Sequence, residues 1–279
     1  LLVSSAASDV YKRQEFYIVT GSAFGVHDRS WIEKHSPRNS SVVIDDLTEE
    51  FGVINLCGPH ARDVLQNVTD DDISNETLPF SSYADIRVAG HPVRAMRIGY
   101  VGELGWEMHM GRENMPAVYK ALAEAGSQYD IADVGYRAID SLRMEKGYLY
   151  WSSDISPDYN PFEAGLGFRV NMKKGDFIGR DALIAIRENG GPERKIAYFT
   201  LEKYMPVYGS EPIMREGRIL DVTTSANFGY TIGKPLVFGY LPIQEFENRN
   251  FTVEAFGEVV PATRHDGPLY DPEMKKLKL

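Results

Sequence analysis

The chain changes character at Gly190-Gly191-Pro192. Ahead of that break, apolar runs of strand length alternate with segments whose apolar residues recur at helical spacing. Behind it only short strand-like runs remain, at 196–201, 218–222, 236–241 and 251–255, parted by Gly, Pro and Asn turns. Neither a helical bundle nor a doubly wound parallel sheet accommodates this pattern. It predicts an α+β body with antiparallel sheets and flanking helices over 15–190, then a small all-β barrel over 191–279.

Within the first part, 16–20 has strand composition and leads through Gly21 into a helical segment beginning near His27 and Asp28. Residues 51–56 read as a buried strand. Gly58-Pro59 then opens a helix with Ala61, Val64, Leu65 and Val68 on one face. Runs 85–88 and 93–98 flank Ala89-Gly90-His91-Pro92 as a hairpin, and 106–110 follows a glycine-rich turn. Helices are expected from Met115 to a stop at Gly126, over 136–146 and over 179–189.

Composition narrows the function. Thirty Lys and Arg against forty Asp and Glu leave a net charge of −10, unlike a surface made for nucleic acid or an anionic membrane. No apolar run approaches the roughly 20 residues of a membrane helix. Cys57 is the single cysteine, which excludes an intrachain disulfide and a cysteine-based metal site. The six histidines form no i,i+4 pair, so no metal is expected. The glycine signatures of dinucleotide and nucleotide sites and the nucleophile elbow are absent. The Lys275-Lys276-Leu277-Lys278 run reads as a solvated terminus.

Residues 1–14 are set apart. The eleven residues Ser4 to Gln14, SSAASDVYKRQ, match the translation of a sequencing-library adaptor, so native sequence is expected to start at Glu15, inside a longer gene product.

Three segments could carry chemistry. Gly99-Tyr100-Val-Gly102-Glu-Leu-Gly105-Trp106-Glu107 places a tyrosine and a glutamate on either side of a tight turn. A carboxylate there can accept two parallel hydrogen bonds from the amidine-like edge of a flat heterocycle, with an aromatic ring over its face. An ordinary hairpin with a core Trp106 explains the same residues about as well. The second segment, 135–147, sets Asp140 and Arg143 one turn apart on a helix and is mainly structural. The third, Asn160-Pro-Phe-Glu163-Ala-Gly-Leu-Gly-Phe168, fits a pocket wall or a core.

Taken together and in order, GYVGELGWE, GYRAIDSLRMEKGYLYW, NPFEAGLGF, DFIGRDAL, ANFGYTIGKPLVFGY and PLYDP resemble the C-terminal part of the flavin-dependent sarcosine and dimethylglycine dehydrogenases, itself similar to the aminomethyltransferase, or T-protein, of the glycine cleavage system. The resemblance runs from Glu15 to the end. It implies a tetrahydrofolate-binding fold that receives a methyl carbon oxidised from an N-methyl amine, giving 5,10-methylenetetrahydrofolate, with FAD in a flavin domain upstream. Residue by residue it implies folate contacts at Tyr100 and Glu107, with Met108 and His109 following along the strand, and at Phe168, where relatives have a tyrosine. A catalytic carboxylate is expected upstream of Glu15, so no catalytic residue is expected in this chain, and the chain alone is expected to be inactive. Ile139 stands where aminomethyltransferases have arginine. A regulatory subunit resembling that of pyruvate dehydrogenase phosphatase and a free-standing aminomethyltransferase are the alternatives. The polyglutamate of a folate would need basic groups such as Arg97 or Arg143. The resemblance implies a mitochondrial matrix location in a eukaryote and a cytoplasmic one in a bacterium.

Overall fold

The computed structural model describes residues 15–37 and 42–279, so the adaptor-like segment and Asp9 lie outside the described residues. The chain packs as two compact units. One holds the described residues up to Gly99 with Glu103–Asp133 and Met274–Leu279; the other holds Tyr100–Gly102 and Val134–Glu273.

In the first unit an exposed helix α1 (Gly25–His35) precedes a sheet of β1 (Phe51–Cys57), β2 (Tyr83–Val88), β3 (His91–Met96) and β4 (Gly105–Gly111). The sheet is antiparallel, in the order β1-β4-β3-β2. Successive strand residues alternate faces, so Trp106, Met108 and Met110 of β4 turn to one side. There they share a core with Ala61, Val64 and Leu65 of α2 (Ala61–Gln66) and Val118 and Leu122 of α3 (Met115–Gly126). Gly105 is required where β4 meets β1, because a Cβ would stand 2.4 Å from the Leu56 carbonyl oxygen.

Two expectations are corrected here. Residues 16–20 form no strand; their β-branched and aromatic composition favours a ladder only where a partner strand exists, and the described residues provide none. β1 is not a buried strand: it lies at the sheet edge, and Val53 on the face away from the helices is 42% exposed.

The β2–β3 turn is two residues, Ala89 and Gly90, both at positive φ (49° and 81°), as strand twist demands of a tight hairpin. Alanine is strained there, whereas asparagine tolerates the left-handed region. Ala89→Asn is expected to raise stability by roughly 1 kcal/mol, measured as a higher urea midpoint at unchanged slope; an unmoved midpoint would refute strain at this turn.

The second unit contains α4 (Tyr136–Glu145), α5 (Arg180–Glu188) and a closed six-stranded barrel. Its strands are β5 (Arg194–Leu201), β6 (Pro212–Arg215), β7 (Arg218–Gly229), β8 (Lys234–Pro242), β9 (Asn250–Ala255) and β10 (Glu258–His265), closing in the order β10-β5-β8-β7-β6-β9. β6 and β10 are elements the sequence reading did not anticipate. Ala197, Phe199, Val237, Leu241 and Val253 fill the barrel, while Ile196, Leu236, Phe238 and Tyr240 face outward onto Met144, Leu149 and Ala164. β8 is therefore buried on both faces, which explains its nearly unbroken apolar run.

Arg143 of α4 is buried in this unit. Its guanidinium donates to Asp140 Oδ1 (2.8 Å), Asp154 Oδ2 (2.7 Å), Ser225 Oγ (2.9 Å) and the Tyr148 carbonyl (3.1 Å). Burial alone would lower its pKa, but Asp154 and Asp140 outweigh that and hold it above its usual range. No helix of the described residues is long and apolar enough to cross a membrane.

Candidate functional site

β4 carries Glu107 and His109 two residues apart, and so on one face of the sheet, opposite the helices. Register sets Asn55 and Val53 of β1 beside them on one side, and Met96 and Arg94 of β3 on the other. His109 is 3% exposed. Its Nδ1 lies 3.1 Å from the Tyr17 hydroxyl, and its Nε2 lies 3.6 Å from Glu107 Oε2. The two rings meet edge to face, with centroids 5.6 Å apart.

The Tyr17 phenol has its pKa raised, chiefly by burial, with the Arg94 charge opposing, so it is a neutral donor around neutral pH. With Tyr17 O–H donating to Nδ1, a neutral imidazole carries its own proton on Nε2, facing the carboxylate. Nε2 is buried and makes no hydrogen bond among the described residues. Arg94 frames the cluster: it holds Asp85 with two bonds of 2.8 and 3.0 Å, and its guanidinium lies 5.1 Å from the Tyr17 ring centroid and 5.3 Å from that of Tyr83.

Met108 lies between Glu107 and His109 in sequence but turns to the other face, where it is fully buried in the core. The sheet thus brings together Glu107 and His109, and adds Tyr17 and Arg94. Tyr17 gave no sequence signal, since its meeting with His109 spans 92 residues.

Tyr100 and Phe168 belong to the second unit. Tyr100 lies nearly parallel to Tyr148, 5.8 Å between centroids, and its hydroxyl donates to the Leu149 carbonyl at 2.7 Å. Burial pushes this phenol far above its ordinary pKa. With its hydroxyl committed to the backbone, Tyr100 offers a ligand its ring. The next turn is fixed by Gly102, at φ 79°, where a Cβ would strike the aliphatic stem of Lys146. That lysine is buried against Asp271, 3.1 Å from its Oδ2. Phe168 is 75% exposed on a 3-10 turn (Gly167–Arg169), with the Arg169 guanidinium 5.0 Å from its ring centroid. Arg97 and Arg143, the basic groups considered for a polyglutamate, are both buried and engaged within their own units. A groove of about 350 Å³ on the barrel, between Gly209–Pro212 and Glu254–Phe256, holds none of the five sequence-derived residues.

Residues 9–174 match the GCVT N-terminal domain, and residues 194–271 match the glycine cleavage T-protein C-terminal barrel domain. Mitochondrial sarcosine dehydrogenase of Mus musculus is 37% identical over 273 residues, covering 94% of this chain and 30% of that protein. Mitochondrial dimethylglycine dehydrogenase of Homo sapiens is 37% identical over 268 residues, covering 95% and 31%. The chain thus spans about 30% of the length of these relatives. Among solved structures, aminomethyltransferase T of the glycine cleavage system from Bartonella henselae superposes with a TM-score of 0.75 at 23% identity, over 90% of this chain and 68% of that one. It shares the fold.

Proposed function

This chain belongs to the glycine cleavage T-protein family, and on that premise we propose that it binds tetrahydrofolate as the one-carbon acceptor part of a flavin-dependent dehydrogenase of N-methyl amines such as sarcosine or dimethylglycine. The observation that carries this reading is the Glu107 carboxylate, turned to the sheet face beside a buried imidazole whose Nε2 lacks a hydrogen-bond partner among the described residues. A pterin edge offers an N–H and an NH2 side by side, which is the donor pair a carboxylate accepts. Tetrahydrofolate, when bound, supplies nucleophilic ring and side-chain nitrogens that take up a carbon at the formaldehyde level.

The residues of this chain bind and orient. Glu107 accepts the donor edge and fixes the in-plane position of the ring. His109, with its proton on Nε2, faces Oε2 of Glu107 at 3.6 Å and lines the same face of the sheet. Tyr100 presents a ring whose rotation is restrained by its bond to Leu149. Phe168 supplies an exposed aromatic surface and, unlike the tyrosine of relatives, no hydroxyl donor. Reduction of a flavin and recognition of the amine belong to sequence outside this chain, and the relatives' names point to a mitochondrial setting in a eukaryote.

The test is a calorimetric titration of tetrahydrofolate into the intact protein carrying Glu107→Ala. Two charge-assisted hydrogen bonds at about 1.5–3 kcal/mol each imply a loss of roughly 100-fold or more in affinity. Unchanged affinity, with unchanged circular dichroism, would sink the assignment.

A further inference from the structure

Oε2 of Glu107 and Nε2 of His109 face each other across 3.6 Å, too far for a hydrogen bond. The Glu107 carboxylate makes no hydrogen bond among the described residues, and neither does the buried Nε2. An acceptor and a donor therefore stand side by side without engaging each other, and a buried donor left unpaired is costly. The face they share is open where β1 borders it, at Val53 and Asn55, which the register sets opposite His109 and Glu107.

The donor character of Nε2 is set from the far side of the ring. The Tyr17 hydroxyl lies 3.1 Å from Nδ1 and donates to it; the other tautomer would turn a bare Nε2 lone pair toward a carboxylate. Arg94, which pairs with His109 in the register, does not take this part, because its Nε and Nη2 are committed to Asp85. The Nε2–H of His109 is thus the neutral donor that adjoins the carboxylate.

The pair presents, in order, two acceptors and then a donor: the oxygens of Glu107, then Nε2–H. The 2-amino-4-oxopyrimidine half of a pterin presents the converse order, an amino N–H, the ring N3–H and the C4 carbonyl. Resting on the folate reading, we propose that His109 reads the 4-oxo group, donating from Nε2 to the C4 carbonyl while Glu107 takes the adjoining N–H pair, and that Tyr17 is a positioning residue that keeps this donor on Nε2. A 4-amino pteridine sets donor against donor at this point and leaves the imidazole proton unpaired, so the site selects against it. The pair adapts to its ligand through Glu107, whose side chain turns about three torsions, while His109 is pinned by Tyr17.

The intact protein is titrated calorimetrically with tetrahydrofolate and with its 4-amino analogue, tetrahydroaminopterin. The ratio of the two affinities is expected to fall roughly tenfold or more in His109→Met, one hydrogen bond being lost with the first ligand and one donor clash relieved with the second. His109→Gln, whose amide N–H reaches the position of Nε2, should keep most of the ratio. Isotope-edited infrared with carbon-13 at C4 should place the carbonyl stretch of bound tetrahydrofolate at the frequency of a hydrogen-bonded carbonyl in the wild type and higher in His109→Met. Tyr17→Phe should turn the nitrogen-15 signature of the His109 ring from a single Nε2–H form into a mixture of tautomers. An unchanged ratio in His109→Met overturns the proposal, and so does a wild-type stretch at the frequency of a carbonyl without a donor; an unchanged ring signature in Tyr17→Phe overturns the role of Tyr17. Guanosine shows the same edge on a purine, and its displacing tetrahydrofolate at equal concentration would overturn the assignment to a pterin. Each of these outcomes is compatible with binding that Glu107→Ala abolishes, whereas binding that ignores Glu107→Ala removes the folate reading itself and this proposal with it.

Discussion

Arg143→Met is expected to lower the unfolding free energy of the barrel unit by about 3–5 kcal/mol, the cost of leaving a buried carboxylate without its partner. Asp154 has no solvent exposure. Besides Arg143, the partners of its carboxylate among the described residues are the Thr224 hydroxyl (2.5 Å) and the Tyr150 amide (2.9 Å). Those dipoles hold an anion less well than a guanidinium does. Methionine fills most of the vacated volume, so packing contributes little to the difference and charge dominates. Adding Asp154→Asn should recover part of the loss, because the orphaned charge is then gone. The measurement is urea denaturation of the three variants. A loss below about 1 kcal/mol for Arg143→Met would show that water already reaches Asp154 and that the buried ion pair contributes little to this unit.

Trp106→Ala is expected to cost the sheet unit about 3–5 kcal/mol, the range for emptying a large aromatic site in a packed core. Trp106 is 1% exposed between β4 and the α2–α3 layer, and Arg62 lies over its ring at 5.7 Å. Trp106→Phe separates shape from polarity. Its indole Nε1 is buried without a hydrogen-bond partner among the described residues, so phenylalanine keeps most of the apolar contact while discarding an unsatisfied donor. That variant should lose less than about 1.5 kcal/mol. Similar losses for the two would mean that ring size, not burial, sets the stability of this core. Thermal or urea unfolding resolves the two cases, and because the chain forms two units, local hydrogen exchange is the safer readout where transitions overlap.

Local patterning made part of the architecture legible. Val64, Leu65, Val118 and Leu122 repeat at helical spacing and do face the sheet, and the turn at Ala89-Gly90 is visible in the residues themselves. What escaped depends on partners distant in sequence. Residues 16–20 have strand composition but no ladder, and β10, interrupted by Pro261, was not anticipated although β5 and β9 flank it. The tail was misread for the same reason, since nothing in Lys275–Lys278 signals that Arg62, Asn75 and Arg97 await it. Of the proposed site, Glu107 stood out in its glycine-rich motif and His109 entered through the family resemblance, whereas Tyr17 gave no signal. Met108 illustrates the converse: adjacency in sequence places it on the wrong face of the sheet.

The order of strands in the barrel also sets a timetable for synthesis. β5 is the first barrel strand to be made, yet one of its two neighbours, β10, is the last. Some 60 residues separate Leu201 from His265, which at about 5–20 residues per second is several seconds of translation. Throughout that interval β5, rich in Ile, Tyr and Phe, presents an unpaired edge. A nascent chain stalled between β8 and β10 would be a substrate for chaperones and a seed for strand-to-strand aggregation, and slowing the ribosome within that window should reduce soluble yield more than slowing it before Arg194.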